Sequence, residues 1–398
     1  MKLRRQLPGY SPITTRAVWR AATSGFRPTN EALDDLTMRL AREYAAKTAM
    51  LLGSGTQALQ VALQLARQAV GASTVALPAF TCFDVASAAV AVGARIALYD
   101  VEPDTLAPDL DSLRRVLERG ARVVVLTPLY GYPVAWECIE ALLAPYGALP
   151  IEDAAQGHGA KWRGRPVGSF GSISVLSFGR GKGWTGGAGG ALLLRRAAAG
   201  DHSTDLRLSR QSPTNELRVL FQLAAHWALG RPSLYSLPAA MPWLGLGETI
   251  YRDAAPPRAM SRSACACLAE LREAAEREAT ARRRNALALI AGVEAGTPVR
   301  FVRPLGQAVP GFLRLPLRLA HGLQGFADPA RARRLGIVPS YPRVLAAVPQ
   351  VRPHLATVDD SWPGAAELAR TLFTAPTHSL LSADECDELV LLLRGYRG

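Results

Sequence analysis

Between residues 48 and 153 the chain alternates short apolar runs with amphipathic stretches of helical period. The runs are TAMLLG (48–53), VALPAF (75–80), RIALYDV (95–101), VVVLTPLY (123–130) and LPIED (149–153). Helical patterns fill the gaps, one opening at GSGTQAL (53–59) and others around 84–92, 109–118 and 134–145. A continuous apolar run needs cover on both of its faces, and a helix between two strands brings the chain back to run in the same direction. The pattern predicts an α/β fold with a mainly parallel sheet between two helical layers. Such a sheet places ligands at the C-terminal ends of its strands.

The rhythm changes after residue 153. GSISVLSF (171–178) and GGALLLRR (189–196) read as strands joined by a glycine-rich loop with no helix between them. Residues 200–258 read as an irregular insertion that carries Trp227 and Trp243. Residues 259–292 read as one long helix with Ser261 as its N-cap. The tail mixes short strands and helices and ends in the capped amphipathic helix SADECDELVLLLRGY. We read 1–255 as a large α/β domain, with the insertion at about 200–258, and 256–398 as a smaller α+β domain.

Composition narrows the function classes. No run of about 18 apolar residues marks a membrane span, and MKLRRQLPGYSP lacks the apolar core of a secretory signal. The five cysteines are scattered, with no metal-ligand spacing, which predicts reduced thiols, no metal and a cytoplasmic setting. The net charge of +13 comes from arginines spread along the chain, without a nucleic-acid motif; it suits an anionic small molecule better than nucleic acid.

Three strand ends carry chemistry. At GSGTQAL, backbone N–H groups at a helix N-terminus and the Thr56 hydroxyl can hold a phosphate, although a plain tight turn explains the motif equally well. In IEDAAQGHGA (151–160), Asp153 closes an apolar strand and can reach into a cleft, with a helix cap as the bland alternative; His158 reads as structural. In SFGRGKGWTGGAGG (177–190), Lys182 stands among seven glycines. A nucleotide P-loop is excluded, because Leu176 stands where its first glycine belongs and Gly183 where Ser or Thr must follow the lysine. The chain has only four lysines among 46 basic residues, so a lysine here asks for something arginine cannot do. Lysine can lose its proton and form a Schiff base, whereas arginine, with a pKa above about 12, remains a cation. A phosphate cradle, a strand-end carboxylate and a Schiff-base lysine together are what pyridoxal 5′-phosphate requires.

The motifs GSGTQAL, PLYGYP and PIEDAAQGHGAKWRGRPVGSFGSISVLSFGRGKGWTGGAGGALL resemble, in order and spacing, the DegT/StrS-type sugar aminotransferases. The match covers roughly 45–195 and resumes weakly at MSR (260–262) and PTHSLLSADECDELV (376–390). The resemblance implies a fold-type I pyridoxal-phosphate enzyme, a homodimer, and transfer of an amino group from an amino acid such as glutamate to a keto sugar, nucleotide-linked, in amino-sugar, polysaccharide or secondary-metabolite synthesis. It implies roles for single residues: Lys182 as the Schiff-base lysine, Asp153 as partner of the ring nitrogen, Gln156 at the ring hydroxyl, and Gly55, Thr56 and Ser177 at the phosphate. Tyr341 and Arg343 lie in a stretch where relatives approach the active site.

Four departures stand out. Cys82 occupies the place of the ring-stacking aromatic, with Phe83 one place later, and either can cover the ring. Gly183 follows the lysine, where relatives often carry Asn. APPRAMS replaces the Asn-containing segment that reaches a neighbouring subunit's phosphate. The insertion at 200–258 is the fourth; covering the active site, widening the dimer interface, touching a membrane and simply packing are all open roles for it. The alternatives to transamination are a sugar dehydratase, a branch that carries histidine in place of the lysine, and a non-catalytic binding or regulatory relative; Lys182 argues against the first, and Lys182, Asp153 and Gln156 together against the second.

Overall fold

The computed structural model describes residues 5–7, 9–25, 31–195, 208–209, 212–230, 232–234, 249–293, 296–357 and 361–397. The parallel sheet expected from the sequence is its centre. Strands β1 (Thr48–Leu52), β2 (Thr74–Pro78), β3 (Arg95–Tyr99), β4 (Val123–Leu126), β5 (Leu149–Asp153), β8 (Ile173–Ser177) and β9 (Gly190–Leu194) form it in the order β1-β9-β8-β5-β4-β2-β3. Strands β3, β2, β4, β5 and β8 run parallel, and β9 is antiparallel to both β8 and β1. That reversal follows from the missing helix between β8 and β9. A loop without a crossover can only return the chain antiparallel.

Both faces are apolar, as the continuous runs required. Val75, Leu77, Val123 and Val125 face one core, which also holds helices α3 (Gly55–Val70) and α4 (Phe83–Ala91). Ala76, Val124 and Leu126 face another, under α5 (Leu110–Glu118) and α6 (Trp136–Leu143). The apolar run at 123–130 gives a strand only as far as Leu126. Pro128 has no N–H for a ladder, and Tyr130 adopts φ 55.

Helices α1 (Thr15–Ser24) and α2 (Glu31–Glu43) add to a third core with Leu51, Leu176 and Leu193. Part of the presumed irregular insertion also packs there. Pro213–Leu229 is a 17-residue helix, α7, capped by Ser212 with proline in its first turn. Its inner face buries Val219 and Leu223. Its outer face is apolar too, with Leu217 and Phe221 exposed, so no single apolar stripe announced the helix. Trp243 lies outside the described residues.

The expected long helix over 259–292 is two helices, α8 (Arg262–Glu270) and α9 (Arg272–Gly292). Leu271 between them has φ −91 and ψ 2. The cause is a side chain in the backbone ladder: the Trp184 indole N–H donates to the Leu268 carbonyl at 2.8 Å, which an unbroken helix would give to residue 272. Ser261 caps α8 as expected, accepting from the Ala264 N–H at 3.2 Å. Buried Glu216 of α7 reinforces that end, accepting from the Ser261 hydroxyl at 2.7 Å and the Arg262 N–H at 2.9 Å.

Beyond α9 a second sheet has the order β10 (Arg300–Phe301), β12 (Leu315–Arg318), β14 (Leu372–Ala375), β13 (Val338–Pro339), all antiparallel. A third joins β11 (Ala308–Val309) to the hairpin β6 (Lys161–Trp162) and β7 (Arg165–Pro166). That junction ties the C-terminal part to the segment that follows Asp153. Three helices accompany these sheets: α10 (Pro329–Arg334), α11 (Pro363–Thr371) and α12 (Ala383–Arg394), the last closed by a Ser382/Glu385 capping box.

His378, just after β14, is buried, with Nε2 3.3 Å from the Leu7 carbonyl, and burial pushes its pKa down to about 4. His158 is pushed down to about 4 as well, by burial and then by the Arg282 charge. An unfolded histidine titrates near 6.5, so each ring contributes stability that is complete above that pH and lost as pH falls towards about 4. The expected loss is about 3 kcal/mol per ring. Thermal melts across that range should fall steeply, and a His378→Phe variant should fall less. Equal slopes for the two proteins would remove His378 from the account.

Candidate active site

The C-terminal ends of the parallel strands meet the N-terminus of α3 in one cleft, lined by Gly55, Thr56, Asp153, Gln156, Ser177 and Lys182. All six site residues expected from the sequence are therefore brought together. Thr81, Cys82, Asp84 and Thr127 line the same cleft and were not expected there, apart from Cys82 as one of two alternatives.

The α3 end is built for an anion. Ser54 caps the helix by accepting from the Gln57 N–H at 3.2 Å. The N–H groups of Gly55 and Thr56 lie in the first turn, where no carbonyl of the helix can serve them. A Cβ on Gly55 would come within 2.6 Å of the Ser177 Cβ. Only a bare backbone lets the helix end come this close to the Ser177 hydroxyl.

At the other end, strand alternation divides the Glu-Asp pair. Glu152 points into the core and accepts from the Phe170 N–H at 2.9 Å and the Ser174 hydroxyl at 3.0 Å. Asp153 points into the cleft, where its Oδ1 accepts from the Ala155 N–H at 3.1 Å. Burial pushes the Asp153 carboxyl above its ordinary pKa, and the Lys182 charge draws it back.

Lys182 sits between Gly181 at φ 73 and Gly183 at φ 27, both left-handed, which explains the glycines on either side of it. The loop is tied back by Thr185, whose hydroxyl is 3.0 Å from the Phe178 carbonyl and accepts from the Gly187 N–H at 2.9 Å. Gly183 also has no room for a side chain. A Cβ there would lie 2.8 Å from one Arg282 amino nitrogen and 2.9 Å from the other. Arg282, on α9, is 1% exposed and occupies the space that a residue after the lysine would fill. A Gly183→Asn substitution should cost about 2 kcal/mol or more through this overlap and the φ. Its melting temperature, beside that of Gly183→Asn/Arg282→Ala, tests the overlap; no recovery in the double variant would refute it.

Gln156 is held at both ends of its amide. Its Oε1 accepts from the Tyr130 N–H at 2.8 Å, and its Nε2 donates to the Tyr341 hydroxyl at 2.8 Å. Tyr130, at φ 55, is backbone strain beside the cleft. Tyr341 packs edge-on against Phe80 with ring centroids 5.6 Å apart, while Arg343 is exposed. Cys82 lines the cleft, and Phe83 belongs to the core cluster instead. Burial pushes the Cys82 thiol up to about 12, so it stays neutral there. His158 does not line this cleft but adjoins it, tilted against Trp184 with ring centroids 5.9 Å apart.

The profile of the DegT/DnrJ/EryC1/StrS aminotransferase family matches residues 13–218. The chain belongs to that family. The 3-amino-5-hydroxybenzoate synthase of Amycolatopsis mediterranei (strain S699) is 29% identical over 221 residues, 54% of this chain and 56% of its own length. The L-glutamine:2-deoxy-scyllo-inosose aminotransferase of Streptoalloteichus tenebrarius is 32% identical over 179 residues, 44% of this chain and 42% of its own. The chain thus spans about half the length of the curated relatives it matches. Among solved structures, DesV of S. venezuelae, in complex with a ketimine intermediate, aligns over 95% of this chain and 92% of its own, with TM-score 0.72 and 21% identity.

Pyridoxal 5′-phosphate is the cofactor of this family. The cleft of this chain fits it: first-turn N–H groups and two hydroxyls for a phosphate, a carboxylate for the ring nitrogen, and a primary amine in the same cleft.

Proposed function

We propose that the chain is a pyridoxal-phosphate-dependent aminotransferase that moves an amino group from an amino acid such as glutamate to the ketone of a sugar or sugar-like ring. The observation that carries this is one cleft lined by Lys182, Asp153, Gln156, Ser177 and the start of α3. When bound, the cofactor supplies an electron sink for the carbon that loses its proton. The residues of the chain do the rest. Gly55, Thr56 and Ser177 hold the phosphate. The Asp153 carboxylate keeps a proton on the ring nitrogen by its charge. Gln156, fixed by Tyr130 and Tyr341, can meet the ring hydroxyl without searching rotamers. Lys182 would anchor the cofactor, and its free Nζ would take the donor's α-proton as general base and deliver it as general acid.

The reading includes a homodimer and a cytoplasmic setting. Free thiols at all five cysteines support the second, and among the described residues no helix is long and apolar enough to cross a membrane.

The test is the visible spectrum of protein loaded with pyridoxal phosphate. A band near about 420 nm that glutamate or glutamine bleaches, and a keto sugar restores, is the expected result. A loaded protein whose band no amino donor changes would instead be a binding or regulatory relative.

A further inference from the structure

Two adjacent residues of the C-terminal part reach across to the cleft. Ser340 and Tyr341 follow β13 directly. Their segment is tied down on both sides. The Ser340 N–H donates to the Leu372 carbonyl at 3.0 Å, and the Leu345 N–H donates to the carbonyl of Ala79, just beyond β2, at 2.8 Å. The Ser340 hydroxyl is hydrogen-bonded to the Tyr130 hydroxyl. Tyr341 is buried edge-on against Phe80 and meets Gln156 through its own hydroxyl. Gln156 lines the cleft and Tyr341 does not.

The direction of these bonds fixes what the cleft is offered. The Tyr130 backbone N–H can only donate, so the Gln156 atom before it must be the carbonyl oxygen, Oε1. Nε2 is thereby turned the other way with its two N–H groups. One of them goes to the Tyr341 hydroxyl oxygen. The other has no acceptor among the described residues. Burial holds the Tyr341 hydroxyl well above its ordinary pKa, so it remains a neutral phenol. An amide held in this way presents a donor, rather than a carbonyl, to an anionic oxygen bound beside it.

We infer that Tyr341 is a positioning residue: from the C-terminal sheet it holds the Gln156 amide so that an N–H faces the ring oxygen of the cofactor. The place of that oxygen rests on the pyridoxal-phosphate reading; the polarity of the amide does not. An N–H on the ring oxygen draws charge from it and eases the loss of the proton that this charge holds nearby. Tyr341 thus sets the proton affinity of the loaded centre through Gln156, and the seating of the C-terminal sheet becomes part of the cofactor site.

The probe is 4′-deoxypyridoxine 5′-phosphate, which keeps the ring hydroxyl, ring nitrogen and phosphate but has no aldehyde for Lys182. Its affinity for the cofactor-free full chain is measured by calorimetric titration in wild type, Tyr341→Phe, Gln156→Leu and the double variant. Tyr341→Phe should bind it about threefold to tenfold more weakly, and Gln156→Leu about tenfold or more. The double variant should bind no more weakly than Gln156→Leu alone. A tyrosine that merely braces the C-terminal sheet would weaken both backgrounds by the same factor. Tyr341→Phe keeps the ring against Phe80, so its melting temperature should stay within a few degrees of wild type. In protein loaded with pyridoxal phosphate, the pH at which the visible band fades on raising the pH should move upward by about half a unit in Tyr341→Phe. Equal weakening in both backgrounds, or an unmoved midpoint, overturns the inference and leaves the aminotransferase reading standing. Non-additive weakening, beside a wild-type band that no amino donor bleaches, supports the inference and counts against the reaction. If no visible band forms, the Lys182 anchor falls and the titration alone decides. If the probe fails to bind wild type, the cofactor site falls and the inference with it.

Discussion

Lys182→Ala should abolish the visible band near about 420 nm and lower transamination by at least about a thousandfold, while the protein still folds. The fold is expected to survive because the loop is held by Thr185 and Trp184 rather than by the lysine. Thr185 ties Phe178 to Gly187, and the Trp184 indole is fixed to Leu268. Lys182→Arg is the sharper variant. It keeps the positive charge and much of the reach but cannot release a proton at neutral pH. If Lys182 served only as a cation for an anionic substrate, the arginine variant would retain most of the activity. If it is the Schiff-base anchor, arginine should be as inactive as alanine. Retained activity and colour in Lys182→Arg would overturn the assignment of this residue, and with it the proposed reaction.

Asp153→Asn should lower the rate of the donor half-reaction roughly a hundred- to a thousandfold, with a smaller effect on cofactor binding. The asparagine is nearly isosteric and can still accept from the Ala155 N–H, so the strand end should keep its shape. What it loses is the charge that holds a proton on the ring nitrogen. Stopped-flow bleaching by glutamate measures this directly, and a rate within twofold of wild type would remove Asp153 from the chemistry. A neighbouring change gives the contrast. Glu152→Gln, one residue earlier, sits on the opposite face of β5 with Phe170 and Ser174. It should cost stability and leave the rate per folded molecule unaltered.

How much of this could be read from the letters depended on distance along the chain. The sheet was legible because each strand is a local apolar run and each crossover a local helical pattern. Lys182 was legible because the chain so seldom uses lysine, and Asp153 because it ends a strand. Features created by long-range contact were not. Tyr341 was in view without a role; the Gln156 amide that gives it one lies 185 residues away. The break at Leu271 is made by an indole 84 residues upstream of the carbonyl it takes. Helix α7 was hidden for a different reason. Periodicity detects a helix with one wet side, and Phe221 and Leu217 make the solvent side of α7 as apolar as the packed one. The choice between Cys82 and Phe83 needed the register at the start of α4, where one residue of offset decides which side chain meets the cleft.

The contact between Gly183 and Arg282 also constrains how such a chain can change with descent. With the guanidinium in place, a Cβ after the lysine would lie 2.8 Å from it, so Arg282 would have to shift to admit one. With glycine in place, trimming Arg282 leaves a hole behind the loop. The two positions lie in distant parts of the gene, and the easier order of change trims the large residue before the small one grows, since otherwise the guanidinium has to move aside. A lineage carrying this pair is held to it by epistasis, and the intermediate that could leave it is the less stable molecule with neither side chain.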